Sequence, residues 1–316
     1  MTLNSILTIT LNPALDVTTY LDQLKPQRKL RCGPPRYDPG GGGVNVARAI
    51  KELGGESHAF VAIAGATGQW YQRVLEETGI SFETWKFRGE TRFSLTVMEE
   101  ATNLQYRFML PGPEQEEEDG AQLLAALSNT IDTGYKYVVA SGSLPPGLSQ
   151  DFYAKLAVRV RESGGLLILD TSGAALKAAL PEHPFMIKID QIEARELAEG
   201  SGNAALSIPQ LAQRLIDQRV AQNIIITIGD KGAILAGDGR LLHVQAPPVE
   251  VCSAVGAGDS FVGALTLGLS NGWSLSDACR YGVAAAASAV TTEGTALCER
   301  DMTQHYFEQT TAVPVD

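Results

Sequence analysis

Short aliphatic runs that alternate with amphipathic helical patterns constrain the fold of this chain more than any other feature. Runs that are aliphatic on both faces are typical of strands buried in a parallel sheet, with helices covering both sides. The alternation predicts βαβ units in a doubly wound, mostly parallel α/β sheet flanked by helices. The predicted strands cover residues 6–11, 59–64, 137–140, 166–170, 185–189 and 224–228, and two predicted helices cover residues 44–53 and 70–77.

Two segments interrupt this alternation, and we expect them to form a small β-sheet lid on a single α/β domain of residues 1–316. Residues 17–42 are rich in Lys, Arg, Pro and Gly, whereas residues 90–110 alternate with period two around a turn near 101–103, as a β-hairpin does. Arg92 and Arg107 then share the polar face of the hairpin. There they could clamp one anion or could merely solvate an exposed sheet face.

Composition argues against several classes of function. A formal net charge of −11 and a pI near 4.9 disfavour nucleic-acid and anionic-membrane partners. The four cysteines lack C-x-x-C spacing and there are four histidines, so no metal cage of nitrogen and sulfur ligands is visible. The small-apolar run at 282–290 is too short to cross a bilayer, and no basic region follows Met1, so a cytoplasmic protein is expected.

A glycine-rich turn that contains a carboxylate is the clearest candidate for a catalytic site. The sequence Val255-Gly256-Ala257-Gly258-Asp259-Ser260-Phe261 runs into an apolar helical pattern. The free amides and the positive end of the helix dipole would favour a phosphate oxygen there. Asp259 would repel that phosphate unless it accepts a proton from an attacking hydroxyl, as the general base does in phosphoryl transfer. The alternative is that Asp259 only caps the helix.

A second glycine cluster, at residues 40–43, opens the helix predicted at 44–53. Four successive glycines are tolerated at a hinge or where a ligand approaches the backbone closely. Asn45, in the first turn, could offer a donor and an acceptor to sugar hydroxyls. Asp16 follows the first strand, at the end where ligands collect in open α/β sheets, although a turn-forming acid is the default interpretation.

The chain carries a series of motifs along nearly its whole length. In order, they are Leu11-Asn12-Pro13-Ala14-Leu15-Asp16, Lys29-Leu30-Arg31-Cys32, residues 40–49, Gln105-Tyr106-Arg107-Phe108, Ser141-Gly142-Ser143-Leu144-Pro145-Pro146-Gly147 and residues 255–261. As an ordered set, these motifs resemble the PfkB/ribokinase-like family of carbohydrate kinases. The resemblance implies a ribokinase-like sheet flanked by helices and MgATP lying across the carboxyl ends of the strands. It also implies a small β lid that closes the sugar site and commonly forms the contact of a homodimer.

The resemblance also implies a role for each matching residue. It makes Asp259 the base, with the amides of residues 256–258 stabilising the transferring phosphoryl group. The loop at 292–296 resembles the part of the family site that faces adenine and a monovalent cation such as K⁺. The implied contacts are Asp16, Gly41 and Asn45 with sugar hydroxyls, Lys29, Arg92 and Arg107 with a sugar phosphate, Gly256, Ala257 and Gly258 with the phosphoryl group, and Lys188, Asp190, Thr227, Gly229, Gly232, Ser253 and Val255 with ATP.

The chain departs from the family pattern at Lys188-Ile189-Asp190-Gln191-Ile192-Glu193, where the family usually has Lys-Pro-Asn and a glutamate three residues after the asparagine. Glu193 can still orient Mg²⁺ through water, since that ion keeps much of its hydration shell. Asp190, a possible further metal ligand, would either strengthen cation binding or repel the nucleotide.

The activity implied by the resemblance is transfer of the ATP γ-phosphoryl group to the C1 hydroxyl of fructose 6-phosphate, giving fructose 1,6-bisphosphate. The three cations Lys29, Arg92 and Arg107 suit a phosphorylated sugar. Within the glycine cluster, 1-phosphofructokinases tend to carry lysine, whereas this chain has Gly42, which favours fructose 6-phosphate. Tagatose 6-phosphate, fructose 1-phosphate or an unphosphorylated acceptor are alternatives, as is a non-catalytic sensor of sugar phosphate or nucleotide. The chain lacks the G-x-x-x-x-G-K-[ST] motif of a P-loop kinase. A dinucleotide-binding motif would follow the first strand directly, whereas residues 40–43 follow an irregular segment.

Overall fold

The computed structural model describes residues 4–198, 206–292, 294 and 296–315. Its strands are β1 (Asn4–Thr10), β2 (Ala14–Leu21), β3 (Arg36–Gly40), β4 (His58–Ala64), β5 (Ser81–Phe87), β6 (Arg92–Glu99), β7 (Leu104–Met109), β8 (Tyr135–Ser141), β9 (Leu166–Asp170), β10 (Met186–Asp190), β11 (Asn223–Thr227), β12 (Ala233–Gly237), β13 (Arg240–Gln245) and β14 (Thr311–Pro314). Its α-helices are α1 (Gly42–Glu52), α2 (Gly65–Glu77), α3 (Glu117–Ile131), α4 (Phe152–Glu162), α5 (Gly173–Ala179), α6 (Gln191–Ala198), α7 (Ile208–Asp217), α8 (Ala257–Ser270), α9 (Leu275–Val290) and α10 (Arg300–Gln309).

The larger sheet has the strand order β5-β4-β1-β8-β9-β10-β11-β12-β13-β14. The strands from β5 to β11 in this order are parallel, whereas β12, β13 and β14 add to one edge in antiparallel pairs. The doubly wound, mostly parallel sheet is therefore confirmed. Each strand predicted from its aliphatic run is present within two residues of the expected bounds, and both predicted helices are present, although α2 begins five residues before its predicted start.

Helices cover both faces of this sheet, as the sequence pattern requires. Ile6 and Leu7, neighbours in β1, point to opposite sides and join separate buried clusters. The cluster that contains Ile6 includes Ile50 of α1 and Phe261 of α8, whereas the other includes Leu127 of α3. Because α1 and α8 lie on the same face, their amino-terminal ends, one in each glycine cluster, are held close together.

A separate small sheet has the strand order β3-β2-β6-β7, with β2 and β6 parallel and the other pairs antiparallel. The predicted hairpin is confirmed, since β6 pairs with β7 across residues 100–103. Ser94 and Thr96 are buried, but Leu95 and Phe108 on the opposite face are 36% and 48% exposed. The polar side chains of β6 are thus turned inward, whereas Arg107, on the same face of β7, is exposed. The division of residues 1–316 into one domain with a lid at 17–42 and 90–110 stays a prediction.

Among the described residues, no helix combines the length and the apolar character that a membrane span requires.

Candidate active site

The turn before α8 holds Asp259 at the start of the helix. Gly256 caps the helix with φ of 80°, a left-handed conformation that favours glycine, and Asp259 lies in the first helical turn. The amides of the residues that follow Gly256 have no earlier helical turn to bond with, so they form an anion site. The sequence prediction of a carboxylate within an anion-binding turn therefore has a matching local geometry.

Two cavities meet at this turn. One, of about 650 Å³, is lined by Ala257 and Gly258 together with Thr227, and the other, of about 280 Å³, is lined by Asp259. The larger cavity is mostly apolar, while the smaller one is lined by Gly42 of the second glycine cluster and by polar groups of β8 and β9. The turn can therefore contact one ligand on its glycine side and a second ligand on its carboxylate side.

A partly buried polar network surrounds Asp259. The Asn45 amide Nδ2 donates to Asp259 Oδ2 at 2.9 Å, and Lys188 Nζ lies 3.1 Å from Asp170 Oδ1. The Ser141 hydroxyl donates to the other Asp170 oxygen at 2.9 Å. A Cβ at Gly258 would lie 3.1 Å from Lys188 Nζ, so the ammonium group is beside the glycine turn. The network places one cation next to the anion site and two carboxylates near the smaller cavity.

Burial and neighbouring charges shift the pKa of Asp259. Burial raises its pKa to about 7, with a further increase from the charge of Asp170, whereas the Asn45 amide and the Lys188 ammonium oppose the shift. For Lys188, burial alone would lower the pKa, but the charge and hydrogen bond of Asp170, together with the charges of Asp259 and Glu193, outweigh burial and raise the pKa. Lys188 therefore stays charged, while Asp259 can gain or lose a proton near neutral pH, as a general base must.

Sequence reasoning did not assign roles to Asp170 and Ser141. Asp170 is the last residue of β9, and an acid at the carboxyl end of a parallel strand was a usable signal. Its ion pair with Lys188 of β10 depends on the order of strands in the sheet.

The small sheet meets the larger one around Asp16. Burial raises the pKa of Asp16 to about 6, while the Ser94 hydroxyl and then Arg92 and Arg107 counteract burial. A Cβ at Gly40 would lie only 2.2 Å from the Asp16 carboxylate. Since real Cβ atoms do not approach so closely, this position requires glycine. Both predicted arginines thus lie near the carboxylate expected to bind sugar hydroxyls.

The other predicted sugar-side residues occupy three different environments. Asn45 contacts Asp259 directly. Gly41, just before α1, has φ of 127°, a backbone conformation that favours glycine. The Arg92 guanidinium donates to the Asn12 carbonyl at 3.2 Å and 3.3 Å, so part of it is committed to the junction between the two sheets. Lys29 lies on an exposed irregular segment between β2 and β3. The structure therefore gathers Asp16, Asn45 and the arginines more closely than Lys29.

The predicted nucleotide residues border the larger cavity in part. Thr227, Gly229 and Gly232 line it. The Ser253 hydroxyl donates to the Gly294 carbonyl at 2.8 Å, which joins the segment before the glycine turn of α8 to the loop at 292–296. Residues 293 and 295 of that loop lie outside the described residues. Val255 N donates to the Ser253 hydroxyl at 3.3 Å, which fixes the entrance to the turn.

Asp190 and Glu193 form a reciprocal helix cap. Asp190 Oδ1 accepts from the backbone amides of Ile192 at 2.7 Å and Glu193 at 2.8 Å, while Glu193 Oε2 accepts from the Asp190 amide at 2.8 Å. Asp and Asn serve equally well in such a cap, which accounts for the departure at position 190. One oxygen of each carboxylate is thus occupied.

The described part of the chain has no group of three or more His, Cys, Asp or Glu side chains arranged to hold a metal ion. This arrangement still fits Mg²⁺, which binds phosphates through one or two carboxylates and retains several waters. Glu193 lines the same cavity as Asp259, so a hydrated ion bound there would be close to the glycine turn before α8.

Comparison with known proteins gives one consistent result. The family model described as pfkB family carbohydrate kinase matches residues 2–302. The ATP-dependent 6-phosphofructokinase isozyme 2 of Mycobacterium tuberculosis is 43% identical over 306 residues, which cover 96% of this chain and 89% of that protein.

Solved structures of phosphofructokinase-2 from Escherichia coli are similar in fold. The complex with potassium has a TM-score of 0.90 at 38% identity, and the complex with fructose-6-phosphate has 0.88 at 37%. A tetrameric inhibited form of that enzyme has a TM-score of 0.88 at 36% identity. Each comparison covers 96% of this chain and 98% of the solved chain. With a family model that spans most of its length and relatives that match it over 96% of its length, this chain belongs to the pfkB family of carbohydrate kinases.

Proposed function

We propose that this chain is an ATP-dependent 6-phosphofructokinase that transfers the γ-phosphoryl group of ATP to the C1 hydroxyl of fructose 6-phosphate. The observation that carries the proposal is the position of the 256–259 turn between two cavities. A phosphoryl donor in the larger cavity would place its γ-phosphoryl group over the amides of α8, and an acceptor held at Asp16 and Asn45 would meet that group next to Asp259. The names of the similar enzymes support the choice of acceptor.

Asp259 accepts the proton of the C1 hydroxyl as that oxygen attacks the γ-phosphorus. Its pKa of about 7 is close to the pH at which the reaction must run, so the carboxylate is both available and basic. The amides at residues 256–258 and the Lys188 ammonium stabilise the charge on the transferring group. Mg²⁺, held through water by Glu193 and with Asp190 beside it, would neutralise phosphate charge, and K⁺ is assigned to the loop around Gly294.

The acceptor is held by the junction of the two sheets. Asp16, Gly41 and Asn45 bind sugar hydroxyls, and Arg92, Arg107 and Lys29 bind the 6-phosphate. The support is the inward-facing polar side chains of β6 and the proximity of both arginines to Asp16. Because guanidinium groups bind phosphate in a bidentate manner, this arrangement selects a phosphorylated sugar over a free one.

The small sheet also provides a surface for a homodimer. Its outer face exposes Leu95, Leu104, Phe108 and Leu110, which are 36%, 54%, 48% and 52% exposed. Contiguous exposed apolar residues of this kind mark a protein interface. Sedimentation of the wild type should give a dimer, and Phe108→Glu should give a monomer. A monomeric wild type, or an assembly that Phe108→Glu leaves intact, would refute this interface.

We place the reaction in the cytoplasm, where ATP and sugar phosphates are found. The support is the set of four unpaired cysteines, two of them exposed, as expected for a reducing compartment.

The test of the activity is ADP release by the purified chain with MgATP. Fructose 6-phosphate, tagatose 6-phosphate, fructose 1-phosphate, fructose, ribose and adenosine are offered separately. We expect the highest kcat/KM with fructose 6-phosphate. A higher value with another acceptor would replace the proposed substrate within the family, and no turnover with any of the six would contradict the assignment as a kinase of these acceptors.

A further inference from the structure

Arg48 connects the small sheet to the base through one side chain. It lies on α1, one turn after Asn45, and its Nη1 donates to Asn45 Oδ1 at 3.2 Å and to the carbonyl of Pro39 in β3 at 3.5 Å. Asn45 in turn donates from Nδ2 to Asp259 Oδ2 at 2.9 Å. These contacts form a chain from guanidinium to amide to carboxylate.

The chemistry of this chain allows only one orientation of the Asn45 amide. A carboxamide has one end that accepts and one that donates, and rotation by a half-turn exchanges them with little change in shape. A guanidinium group only donates, so the Asn45 oxygen must face Arg48. The amide nitrogen then faces Asp259, where an ionised carboxylate needs a donor. In the opposite orientation, the amide oxygen would face the carboxylate and the amide hydrogens would face the guanidinium group, so neither contact would be a hydrogen bond.

We propose that Arg48 is a positioning residue that fixes the Asn45 amide with its N–H groups toward Asp259. This inference rests on the proposed role of Asp259 as base. Asn45 has two roles in consequence, because the same amide that meets the sugar also stabilises the charged form of the base. Arg48 touches neither the sugar nor the phosphate and acts through Asn45.

The Asn45 donor matters because the other groups around Asp259 act in opposite directions. Asp170 on β9 and Asp16 on β2 disfavour its negative charge, whereas Lys188 on β10 and the Asn45 amide favour it. Removing the oriented donor leaves two carboxylates opposed by one cation. The base should then need a higher pH to ionise.

The experiment is the pH profile of kcat for the full-length kinase at saturating MgATP and fructose 6-phosphate. Arg48→Met should shift the acidic limb of the profile to higher pH by roughly 0.5–1 unit. At pH values below the midpoint of the limb, kcat should then be about 3–10-fold lower than that of the wild type. At pH 9 kcat should approach that of the wild type. Lys51→Met is the matched control, since it removes a cation from the exposed last turn of the same helix without touching Asn45.

A double-mutant cycle separates positioning from a simple effect of charge. If Arg48 acts through the amide, Arg48→Met should cause no additional shift in an Asn45→Ala background, which already lacks that amide. An undiminished shift in that background would overturn the proposal, because the guanidinium would then act on Asp259 through space. Arg48→Lys, which retains a cationic donor, should restore the limb of the wild type.

The remaining outcomes also decide the question. Arg48→Leu, which also lacks a donor, takes the place of Arg48→Met in the cycle if the methionine variant does not fold. An unchanged profile in the folded variant would contradict the proposal. If the proposed role of Asp259 as base were wrong, the Asp259→Asn variant would keep its turnover. Loss of turnover in Asp259→Asn together with a normal limb in the Arg48 variant would overturn only the role of Arg48.

Discussion

Replacement of Asp259, the proposed base, should stabilise the fold while it strongly reduces turnover. The pKa of Asp259 rises from 3.8 to about 7 on folding, so the folded state resists ionisation that the unfolded chain permits. Below about pH 4 the carboxyl group is protonated in both states and contributes no penalty. As the pH rises through 7, the penalty grows to its full value, which is the direction expected for an acid whose pKa is raised by burial.

The size of the gain follows from the two pKa values. At 1.36 kcal/mol per unit, ionisation of Asp259 lowers the free energy of unfolding by at most about 4 kcal/mol at pH 8 and about 2 kcal/mol at pH 5. Asp259→Asn removes this penalty, and the new side-chain oxygen can still accept from Asn45. The Tm at pH 8 should therefore rise by several degrees, and by less at pH 5.

Two assays test this reasoning on the same preparation. Thermal and urea unfolding at pH 5 and pH 8 measure the gain, and ADP release should show that kcat falls by about 10²–10⁴-fold. Asp238→Asn is the control, since it makes the same change in an exposed turn whose left-handed φ of 49° suits asparagine. A gain that is equal at both pH values, or absent, would refute the burial argument, and normal turnover would refute the assignment of the base.

Three further predictions concern the pH profile, the phosphate site and the glycine cluster. Phosphoryl transfer by the wild type should rise about tenfold between pH 6 and pH 8 as Asp259 ionises, and a flat rate profile would exclude a base with this pKa. Arg107→Met should raise the KM for fructose 6-phosphate about tenfold or more but not that for fructose, and equal effects on both sugars would argue against a phosphate contact. Tyr71→Phe removes the donor to the buried Gly40 carbonyl at 3.0 Å and should lower the free energy of unfolding by about 1–3 kcal/mol in urea titrations; an unchanged midpoint would mean that this carbonyl finds another partner.

The parts of the fold that follow from local pattern could be predicted from sequence. β11, with the sequence Asn-Ile-Ile-Ile-Thr, is aliphatic on both faces, so its place inside a parallel sheet was evident before the structure. The glycine turn that carries Asp259 could also be recognised, because its glycines and Asp259 are adjacent in the chain.

Properties that depend on neighbouring strands could not be predicted in this way. Asp170 forms an ion pair with Lys188, which is 18 residues away in sequence but lies on the neighbouring strand of the sheet. Asp190 illustrates the opposite difficulty, because its carboxylate was interpreted as a possible metal ligand, while its observed contacts are those of a helix cap. The partial commitment of Arg92 to the Asn12 carbonyl likewise depends on how the two sheets meet.

The position of β14 has a practical consequence for anyone who engineers this chain. Residues 311–314 form the outermost strand of the large sheet and pair with β13, whose own partner on the other side is β12. A version shortened by these residues would expose the backbone amides and carbonyls of β13 along an open edge, which another molecule could extend. Deletions or fusions at this end should therefore preserve β14 if the purified protein is to remain free of aggregates.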